Sequence, residues 1–540
     1  MCGARQTGSA PCWFRPETAL SPQPEKRMQE LSIGRSLRLA AQAAPDAVAI
    51  RFEGESTTHG QLDAWSNRIA HGLHAFGLRK GDRMGLMLPN SPLYIAVAAA
   101  AAKSGIVLIT LNYRFTGAEL AYHLGDAQAL AVLFDPAFGD AVRSAQSALP
   151  ALRGIVCGPA ASGEVALDDL TRDQPDSALD VAIGESDLLL LQYTSGTTGR
   201  PKGAMITHRN RSLAFLHWPI IYGVGTDDVL LHTGPFHHSA PFGMALCQLC
   251  LGGRVVIMPS FKPQAALALI ERERVTWAFM VPTMFTQIFE LLGEGAAVPD
   301  VGSLKRLLSG GAALPTVVKE RILRTFPNAG LFEFYGATEA GTITALRPED
   351  QLRKTRCVGR PVFGAEVKVL DAQGAPVPRG TVGEIFLKTP SLFDGYFNAP
   401  EKTAQALQHG WCTLGDLGLH DDEGYLYIVD RLKDVIKSGG VNVYPSEIEE
   451  VLLTHPDVIE VAVIGIPDTR WGEAVHAIAV TRAGKTLDAQ QLAAHCAGRL
   501  AGYKLPRSVE TRTELPHSPA GKILKRVLRE PFWSAADEKI

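Results

Sequence analysis

The chain has 540 residues, of which 46% are hydrophobic and 20% are charged, and its formal net charge is −3. This length and composition predict a protein with several buried cores and more than one domain, and the near-neutral charge gives no sign of nucleic-acid binding. The cysteines form no disulfide framework, and Cys247 and Cys250 lack the second pair or the nearby histidines of a zinc site. We interpret that pair as helix-face packing in a reducing cytoplasm.

The first 27 residues are rich in Pro, Ser and charge, and they lack the apolar core of a signal peptide. We predict a disordered tail over 1–27 and a fold that begins near Met28, which is also a candidate start codon. The most apolar stretch, 94–111, is interrupted at 103–105 by Lys, Ser and Gly. It therefore predicts a buried helix followed by a strand, and no membrane span is expected.

Short apolar runs alternate with helix-like segments from Met28 to about Asp430. In one of these segments Thr58 and Gln61 form a capping-box pattern, which predicts the start of a helix. The alternation predicts largely parallel sheets that are covered by helices. The strand candidates are 47–54, 83–90, 105–111, 129–135, 229–236, 254–260, 276–283 and 330–336.

Two later regions have a different pattern. Paired strands around Gly/Pro turns over 366–389 predict a small antiparallel, β-barrel-like element. After about residue 430, a helix with Ser446 as its candidate N-cap and then a strand begin a compact α+β unit. We predict an α/β protein with a large N-terminal domain, 28–431, which contains two parallel-type sheets, and a small C-terminal domain, 432–540.

The stretch LQYTSGTTGRPKGAMITH (191–208) follows an apolar run and has the composition of an anion-binding loop. Its glycines let backbone N–H groups approach a ligand, its hydroxyls are donors, and Lys202 adds a positive charge. Polyphosphate is the expected ligand, because a loop that leaves a strand of an α/β sheet binds phosphates through N–H groups. The stretch is not a Walker P-loop, since Gly203 follows the lysine. A flexible Ser/Gly linker is the alternative.

Two stretches that follow predicted strands are suited to binding a nucleotide. SGGAAL (309–314) is small enough for a flat ring to lie against the backbone, and EFYGATEAG (333–341) offers Tyr335 for stacking. Glu339 is a hard oxygen ligand, and one carboxylate near a phosphate loop is adequate for a MgATP site. Taken singly, these two side chains have structural alternatives, a core aromatic residue and a surface acid.

Three charged residues further along the chain add to this set. Asp416 is a candidate for bidentate hydrogen bonding to ribose hydroxyls, and Arg431 lies shortly before the domain boundary. Lys522 lies in a Pro/Gly-rich loop near the C-terminus, where a lysine alone usually indicates only solubility.

The order and spacing of these stretches are more specific than any one of them. YTSGTTGRPKG, GPFHHSAPFG, SGGAAL, FYGATEAG, GDLG, DRLKDVIKSGGVNVYPSEIE and PAGK follow one another between about residues 30 and 530. In this arrangement the chain strongly resembles the adenylate-forming superfamily, and within it the acyl- or aryl-CoA synthetases. The resemblance implies two steps: a carboxylate attacks the α-phosphorus of MgATP to give acyl-AMP and pyrophosphate, and the thiol of coenzyme A then displaces AMP.

The resemblance also implies catalytic roles. Lys522 would bridge the α-phosphate and the carboxylate, where negative charge accumulates. His238 would line the reacting carboxylate, although a structural histidine is the alternative. Arg431, with Asp416, would bind the ribose. Thr194 and Glu339 would lie at Mg²⁺. The residues implied to bind ATP are Thr194, Ser195, Gly196, Thr197, Thr198, Gly199, Lys202, Gly311, Ala312, Tyr335, Gly336, Thr338, Asp416 and Arg431.

The small C-terminal domain is implied to be mobile. Lys433 matches the family's hinge, about which this domain rotates between the half-reactions, so that Lys522 leaves the site and the KSGG turn (437–440) reaches the pantetheine tunnel. The residues implied to contact coenzyme A are Ser438, Gly439 and Gly440. The implied partners are ATP, coenzyme A and a carboxylic acid, with Mg²⁺ and without nucleic acid. A homodimer is left open.

The acid is expected to have an uncharged tail. The start of the HHSA region lacks the aspartate of amino-acid adenylation domains, and Gln287 stands where malonate-type enzymes commonly have an arginine. A medium or long fatty acid and an aryl acid both remain candidates. The residues implied to line the acid pocket are Trp218, His238, Phe242, Met284 and Ile343.

Three other functions are compatible with the same motifs. A ligase that passes acyl-AMP to another acceptor, such as a carrier-protein thiol, is the nearest alternative. A luciferase-like oxygenase shares the PFHH sequence. A non-catalytic nucleotide-binding protein is disfavoured, because both Lys522 and Glu339 are present.

Overall fold

The computed structural model describes residues 31–194, 200–293, 299–482, 485–517 and 523–537. Some sequence predictions fall outside these ranges. They concern the tail 1–27, the loop residues Ser195, Gly196, Thr197, Thr198 and Gly199, and Lys522.

Helices and strands alternate from residue 31 to residue 171. The predicted capping box is present: Thr58 Oγ1 accepts a hydrogen bond from the backbone N–H of Gln61, whose side chain accepts one from the N–H of Thr58. The apolar run 94–111 forms a helix and then a strand, also as predicted. The elements are α1 (Ile33–Ala43), β1 (Val48–Phe52), β2 (Glu55–Thr58), α2 (His59–Ala75), β3 (Arg83–Met87), α3 (Pro92–Ser104), β4 (Val107–Thr110), α4 (Gly117–Asp126), β5 (Ala131–Phe134), α5 (Gly139–Ala148), β6 (Arg153–Val156), β7 (Glu164–Ala166) and α6 (Leu167–Thr171).

The alternation continues from residue 188 to residue 346. A second capping box, formed by Thr207 and Asn210, begins the helix that follows the glycine-rich hairpin. The elements are β8 (Leu188–Thr194), β9 (Lys202–Thr207), α7 (His208–Tyr222), β10 (Val229–His232), α8 (Ser239–Cys250), β11 (Arg254–Ile257), α9 (Pro263–Arg272), β12 (Trp277–Phe279), α10 (Pro282–Leu292), β13 (Arg306–Gly310), α11 (Thr316–Thr325), β14 (Gly330–Ala337) and β15 (Gly341–Leu346).

These strands form two sheets. The first has the order β7-β6-β5-β3-β4-β8-β9, and its neighbours are parallel except for β8 and β9. The second contains the parallel strands β1, β11, β10, β12, β13 and β14, with β2 antiparallel at its edge. The predicted fold class, an α/β protein with two parallel-type sheets, is confirmed.

An antiparallel element follows, and it contains the pairing predicted over 366–389. Its members are β16 (Cys357–Pro361), β17 (Glu366–Leu370), β18 (Gly383–Lys388), α12 (Pro400–Ala406), β19 (Leu407–Gln408), β20 (Trp411–His420) and β21 (Leu426–Arg431). It is not a separate barrel. β15 pairs with β16 and β16 with β21, so the hydrogen-bond ladder of the second sheet runs on through β20 and β18 to β17.

The C-terminal part builds its own sheet in the order β23-β22-β25-β24, with β26 beside β25. One local prediction was wrong: the helix begins at Pro445 with Tyr444 as its N-cap. Ser446 lies in the first turn instead, where its hydroxyl donates to the carbonyl of Val429. The elements are β22 (Ile436–Ser438), β23 (Val441–Val443), α13 (Pro445–Leu453), β24 (Val458–Asp468), β25 (Gly472–Thr481), α14 (Ala489–Cys496), β26 (Ser508–Arg512) and α15 (Lys525–Asp537).

The largest hydrophobic core lies between the two large sheets and encloses α3 on every side. Lys103 of this helix is 4% exposed, and its Nζ is bound by Asp63 Oδ1 at 2.6 Å and by Asn67 Oδ1 at 2.9 Å. Cys247 is buried in α8 and its thiol donates to the carbonyl of Phe215, which agrees with the predicted packing role. Within the described ranges, no helix is both long enough and apolar enough to span a bilayer.

Candidate active site

β8 and β9 form a hairpin, and its loop contains the glycine-rich stretch. Thr194 ends β8 and pairs with Lys202, which begins β9, so these two predicted phosphate ligands face each other at the base of the loop. The hydroxyl of Tyr122 donates to the carbonyl of Pro201 at 2.7 Å, which holds the returning strand against α4. Because β8 is parallel to β4, Thr194 lies at the carboxyl end of a parallel pair, the edge where α/β sheets bind ligands.

Glu339 connects the two large sheets beside this hairpin. The side chain is buried, and its Oε1 accepts hydrogen bonds from Thr194 Oγ1 at 3.2 Å and from the hydroxyl of Tyr396 at 2.9 Å. The Lys202 ammonium lies 4.8 Å from the centroid of the Tyr396 ring. A hydroxyl, a carboxylate and an ammonium group thus meet at one place, as polyphosphate with its cation requires.

These residues fit a magnesium ion that is held mainly by phosphate and water. Mg²⁺ takes one or two carboxylates from the protein and keeps several water ligands. Glu339 is such a carboxylate, Thr194 adds a hydroxyl, and Thr338 lies directly before the glutamate in the turn that follows β14. Among the residues that the structure describes, no cluster of three His, Cys, Asp or Glu side chains could hold a metal by itself. The ion would therefore need the phosphates of its nucleotide.

A second cluster joins β14, β20 and β21. The hydroxyl of Tyr335 donates to Asp416 Oδ2 at 2.6 Å, and Arg431 Nε lies 3.1 Å from Asp416 Oδ1. Asp416 and Arg431 are direct partners in the β20–β21 ladder. Burial, with the charge of Asp416, raises the pKa of Tyr335, so this hydroxyl remains a donor. The structure thus brings together three of the residues predicted at adenine and ribose.

The ends of β13 and β14 lie side by side. These strands are parallel neighbours, so Gly311 and Ala312 emerge at the same edge as Tyr335 and Gly336. Gly311 has a φ of +83°, and a Cβ there would find no atom closer than 3.9 Å. A Cβ on Gly336 would lie 2.4 Å from a backbone oxygen, so only glycine fits that position. The open surface at Gly311 leaves room for a ring beside Tyr335.

His238 lies at the N-cap of α8, at the end of a loop that Asn90 holds in place. The side-chain amide of Asn90 donates to the carbonyl of Gly234 at 2.9 Å and accepts the N–H of Phe236 at 2.9 Å. Asn90 was not predicted as a site residue. The only sequence signal is its place in a PNSP turn that directly follows an apolar strand.

His237 precedes His238, and their ring centroids are 4.4 Å apart. Burial, aided by the neighbouring His238 and Arg114, lowers the pKa of His237 to about 2. Thr110 Oγ1, at the end of β4 in the first sheet, donates to the carbonyl of His237 at 3.2 Å. This hydrogen bond fixes the backbone of the loop at His237. His237 is therefore neutral at any pH near neutrality.

The structure groups some of the predicted acid-pocket residues and separates one. Trp218, Phe242 and Ile343 all belong to the core between the two large sheets, and Trp218 Nε1 donates to Thr342 Oγ1 at 3.2 Å. Met284 packs instead against the cluster between the second sheet and α9 to α11. Sequence spacing cannot show this difference, because the two clusters lie on opposite faces of the same strands.

Lys433, the predicted hinge, follows β21 and precedes the C-terminal sheet. Its carbonyl accepts a hydrogen bond from Arg529 of α15 at 3.0 Å. On the other side of the boundary, Asp430 Oδ2 accepts the N–H of Ser446 at 2.9 Å. The contact of Ser446 with Asp430 therefore crosses the boundary near this residue, whereas Arg529 belongs to the same part of the chain as Lys433.

The KSGG turn forms the tip of the β22–β23 hairpin. Ser438 is buried, and Gly439 and Gly440 have φ values of +60° and +81°. The N–H of Gly439 donates to the carbonyl of Trp471 at 2.7 Å, and a Cβ on Gly439 would lie 2.8 Å from the Trp471 ring. The predicted coenzyme A residues thus form a rigid, glycine-dependent turn.

Comparison with known proteins identifies the family of the chain. The description "AMP-binding enzyme" matches residues 37–397, and "AMP-binding enzyme C-terminal domain" matches residues 447–522. A feruloyl-CoA synthase of Amycolatopsis sp is 39% identical over 499 residues, which cover 91% of this chain and 97% of that protein. A long-chain-fatty-acid–CoA ligase of Mycobacterium tuberculosis is 37% identical over 514 residues, with 93% and 98% coverage.

Solved structures show the same architecture. The o-succinylbenzoate CoA synthetase of Bacillus subtilis, in complex with its acyl-adenylate intermediate, superposes with a TM-score of 0.83 at 30% identity and covers 93% of this chain and 98% of that chain. The same enzyme in complex with ATP and magnesium ion gives a TM-score of 0.81 at 30% identity, with 91% and 98% coverage.

The fold and the site define an AMP-forming acid–thiol ligase. The chain belongs to the AMP-binding enzyme family of the adenylate-forming superfamily, and it is of the acyl- or aryl-CoA synthetase type. The resemblance that the sequence motifs indicate is confirmed.

Proposed function

We propose that the protein converts a carboxylic acid with an uncharged tail, either a medium or long fatty acid or an aryl acid, into its coenzyme A thioester through an acyl-adenylate. The contact of Thr194 with Glu339 carries this proposal, because it places a phosphate-binding hairpin against a buried carboxylate between the two sheets. The two relatives above are named for feruloyl-CoA synthesis and for long-chain fatty acid activation, so their names cover both proposed classes of acid.

ATP would lie along the edge where these elements meet. Lys202, Thr194 and the loop between them would hold the β- and γ-phosphates, and Glu339 with Thr194 would hold Mg²⁺, which neutralises phosphate charge when bound. Tyr335 and Asp416 would bind adenine and ribose, because Asp416 keeps acceptor capacity beyond its contacts with Tyr335 and Arg431.

The acid would approach from the core side of the His237–His238 loop. His238 would orient the carboxylate toward the α-phosphorus, and Lys522 would balance the negative charge that accumulates in that step. His237 is neutral, so it adds no positive charge beside the reacting groups. Trp218, Phe242 and Ile343 supply apolar surface for the tail.

The second half-reaction would use the other face of the C-terminal domain. Rotation about Lys433 would remove Lys522 and bring the turn of Ser438, Gly439 and Gly440 to the acyl-adenylate, where the coenzyme A thiol displaces AMP. The position of Lys433 directly after β21 and before the C-terminal sheet supports a hinge there, and its contact with Arg529 would be kept during the rotation.

ATP–pyrophosphate exchange across short, medium, long and aromatic acids, with and without coenzyme A, tests the proposal. We expect exchange with one fatty or aryl class and a thioester that forms only with coenzyme A. Exchange without a thioester would indicate that the acyl group is passed to a carrier-protein thiol or another acceptor, and not to coenzyme A. Faster exchange with dicarboxylates or amino acids would contradict the uncharged tail, and no exchange with any acid would contradict the activity.

We also propose a cytoplasmic location, which the six free cysteines of the described ranges support. Fractionation of the native cell would test the location.

A further inference from the structure

Arg211 is a buried cation in the core of the large domain. It lies on α7 between β8 and α8, and it is 6% exposed. Its Nη2 donates to Gln192 Oε1 at 2.9 Å, whereas its Nε has no acceptor among the described residues. No carboxylate within those residues forms an ion pair with it, and burial alone lowers its pKa, to about 10, so it remains charged at neutral pH. A buried guanidinium without an anion is costly.

The side-chain amide of Gln192, which accepts the hydrogen bond from Arg211, also has a buried N–H group without an acceptor among the described residues. A guanidinium can only donate hydrogen bonds, so the oxygen of Gln192 must face Arg211 and the amide nitrogen must point away. That nitrogen, Nε2, is also buried without an acceptor in the described part of the chain. Two adjacent buried side chains thus present N–H groups that no acceptor in the described part of the chain satisfies, whereas buried donors in folded proteins are normally paired.

The pair lies beside the proposed reaction path. Gln192 and Thr194 are two residues apart on β8, so their side chains project from the same face of the sheet. On the other side, a Cβ on Gly243 would lie 2.9 Å from Arg211 Nη1 and 3.1 Å from the ring of Trp218, so these two side chains meet over the glycine. Arg211 therefore lies between the phosphate hairpin and an apolar side chain proposed for the acid pocket.

We propose that Arg211 and Gln192 bind an oxygen acceptor that the acid carries in addition to its reacting carboxylate, a hydroxyl or a phenolic oxygen. This inference rests on the proposed function and narrows its substrate class to hydroxylated acids. The unpaired N–H groups indicate the chemistry of the bound group, because only a hydrogen-bond acceptor can satisfy them. Their burial gives the selectivity, because an acid without the oxygen would enclose the donors unpaired.

Matched pairs of acids test this inference. We would measure kcat/KM for para-hydroxycinnamate against cinnamate, and for ω-hydroxydodecanoate against dodecanoate, in the wild-type protein and in Arg211→Met. In at least one pair, the wild-type protein should prefer the hydroxylated acid by about 10-fold or more. Arg211→Met should reduce that ratio to about one and leave the KM for ATP unchanged. Equal ratios in both proteins, or no preference in the wild type, would overturn the inference.

Arg209→Met is the matched control, because Arg209 lies on the same helix, half-exposed and paired with Glu185. It should keep the wild-type ratio. If Arg211→Met does not fold, Gln192→Leu removes the second donor and should lower the same ratio. A small inorganic anion is the other source of an acceptor. If replacing chloride by gluconate changed activity with all acids equally, and only when Arg211 is present, the site would hold that anion and the inference would be wrong.

Failure of this inference can be distinguished from failure of the proposed function. If pyrophosphate exchange persists and the selectivity ratio is the same in Arg211→Met as in the wild type, only the inference about Arg211 is contradicted. Loss of all exchange in the wild type contradicts the proposed function itself.

Discussion

Thr194 and Glu339 are 145 residues apart in the chain, and their side chains meet at 3.2 Å between Oγ1 and Oε1. Thr194 ends a strand of the first sheet, and Glu339 lies in the turn after β14 of the second. The contact joins the two halves of the large domain at the base of the glycine-rich hairpin. Residues with the chemistry to bind phosphate and its cation are therefore contributed by both sheets.

Glu339→Gln should lower the rate of pyrophosphate exchange by about 10²-fold, because it removes the only charge that this contact offers to a cation. The Mg²⁺ concentration for half-maximal exchange should rise as well. Titration of exchange with Mg²⁺ measures both effects. Tyr396→Phe is the control, since it removes one hydrogen bond to Glu339 and keeps the ring beside Lys202. An unchanged Mg²⁺ requirement in Glu339→Gln would refute the assignment.

Lys522→Ala should reduce acyl-AMP formation by about 10²-fold or more, whereas thioester formation from supplied acyl-AMP should survive. The reason is that, in the proposed mechanism, the lysine would serve the first half-reaction only. Each half-reaction is followed separately, by pyrophosphate exchange and by release of AMP in the presence of coenzyme A. Equal losses in the two would argue against alternation of the C-terminal domain.

Tyr335→Phe should raise the KM for ATP by about 10-fold and leave the KM for the acid unchanged. It removes a hydrogen bond to a buried carboxylate, Asp416, that is worth about 1.5–3 kcal/mol. Initial rates with each substrate varied in turn measure the two constants. A parallel rise in both KM values would mean that the substitution disturbs the whole site rather than the nucleotide end.

Gly439→Ala should impair thioester formation more than adenylation, because a Cβ would lie 2.8 Å from the Trp471 ring and distort the KSGG turn. Gly440→Ala is a matched control: its φ is +81°, but a Cβ there has no atom within 4 Å. It tests the backbone strain alone. Both half-reactions are measured for each variant, and equal thioester rates in the two would show that the Trp471 contact is unimportant.

The stability of the protein should fall as the pH is lowered below about 6.5. His208 and His232 are fully buried, and burial lowers their pKa values to about 4 and about 3, whereas the unfolded chain keeps the ordinary value near 6.5. Protons then bind the unfolded state preferentially. Stability that is complete above pH 6.5 is therefore lost toward pH 4, by about 1.4 kcal/mol per pH unit for each histidine.

Urea unfolding at several pH values between 7.5 and 5 measures this slope. His208→Gln should reduce the dependence of the free energy of unfolding on pH by the contribution of one histidine. His232→Gln should reduce it by a similar amount. A pH dependence that neither substitution alters would assign the effect to other groups.

Local chemistry was readable from the chain itself. The capping box of Thr58 and Gln61, the helix and strand over 94–111, and the order of the nucleotide motifs all follow from residues that are close in sequence. The N-cap at Ser446 was mispredicted for the opposite reason: its hydroxyl donates to Val429, on the far side of the domain boundary.

The hydrophobic cluster that a residue joins depends on which face of a strand or helix the residue occupies. Met284 was grouped with Trp218 on family spacing, but the two lie in different clusters, separated by the second sheet. Asn90 carries no chemical signal in the sequence, because its importance comes from backbone groups of a loop about 140 residues later.

The sequence by itself determined the fold class, the family and the residue types that handle the nucleotide, because short motifs encode backbone shape and donor chemistry directly. Only the tertiary structure decided which side chains meet. Glu339 forms a hydrogen bond with Thr194, and Arg211 forms one with Gln192. Both contacts join different strands and helices, whose packing depends on the whole core. The role of a buried polar group depends on these long-range neighbours, because burial strengthens each hydrogen bond that the group forms and raises the free-energy cost of one that it lacks.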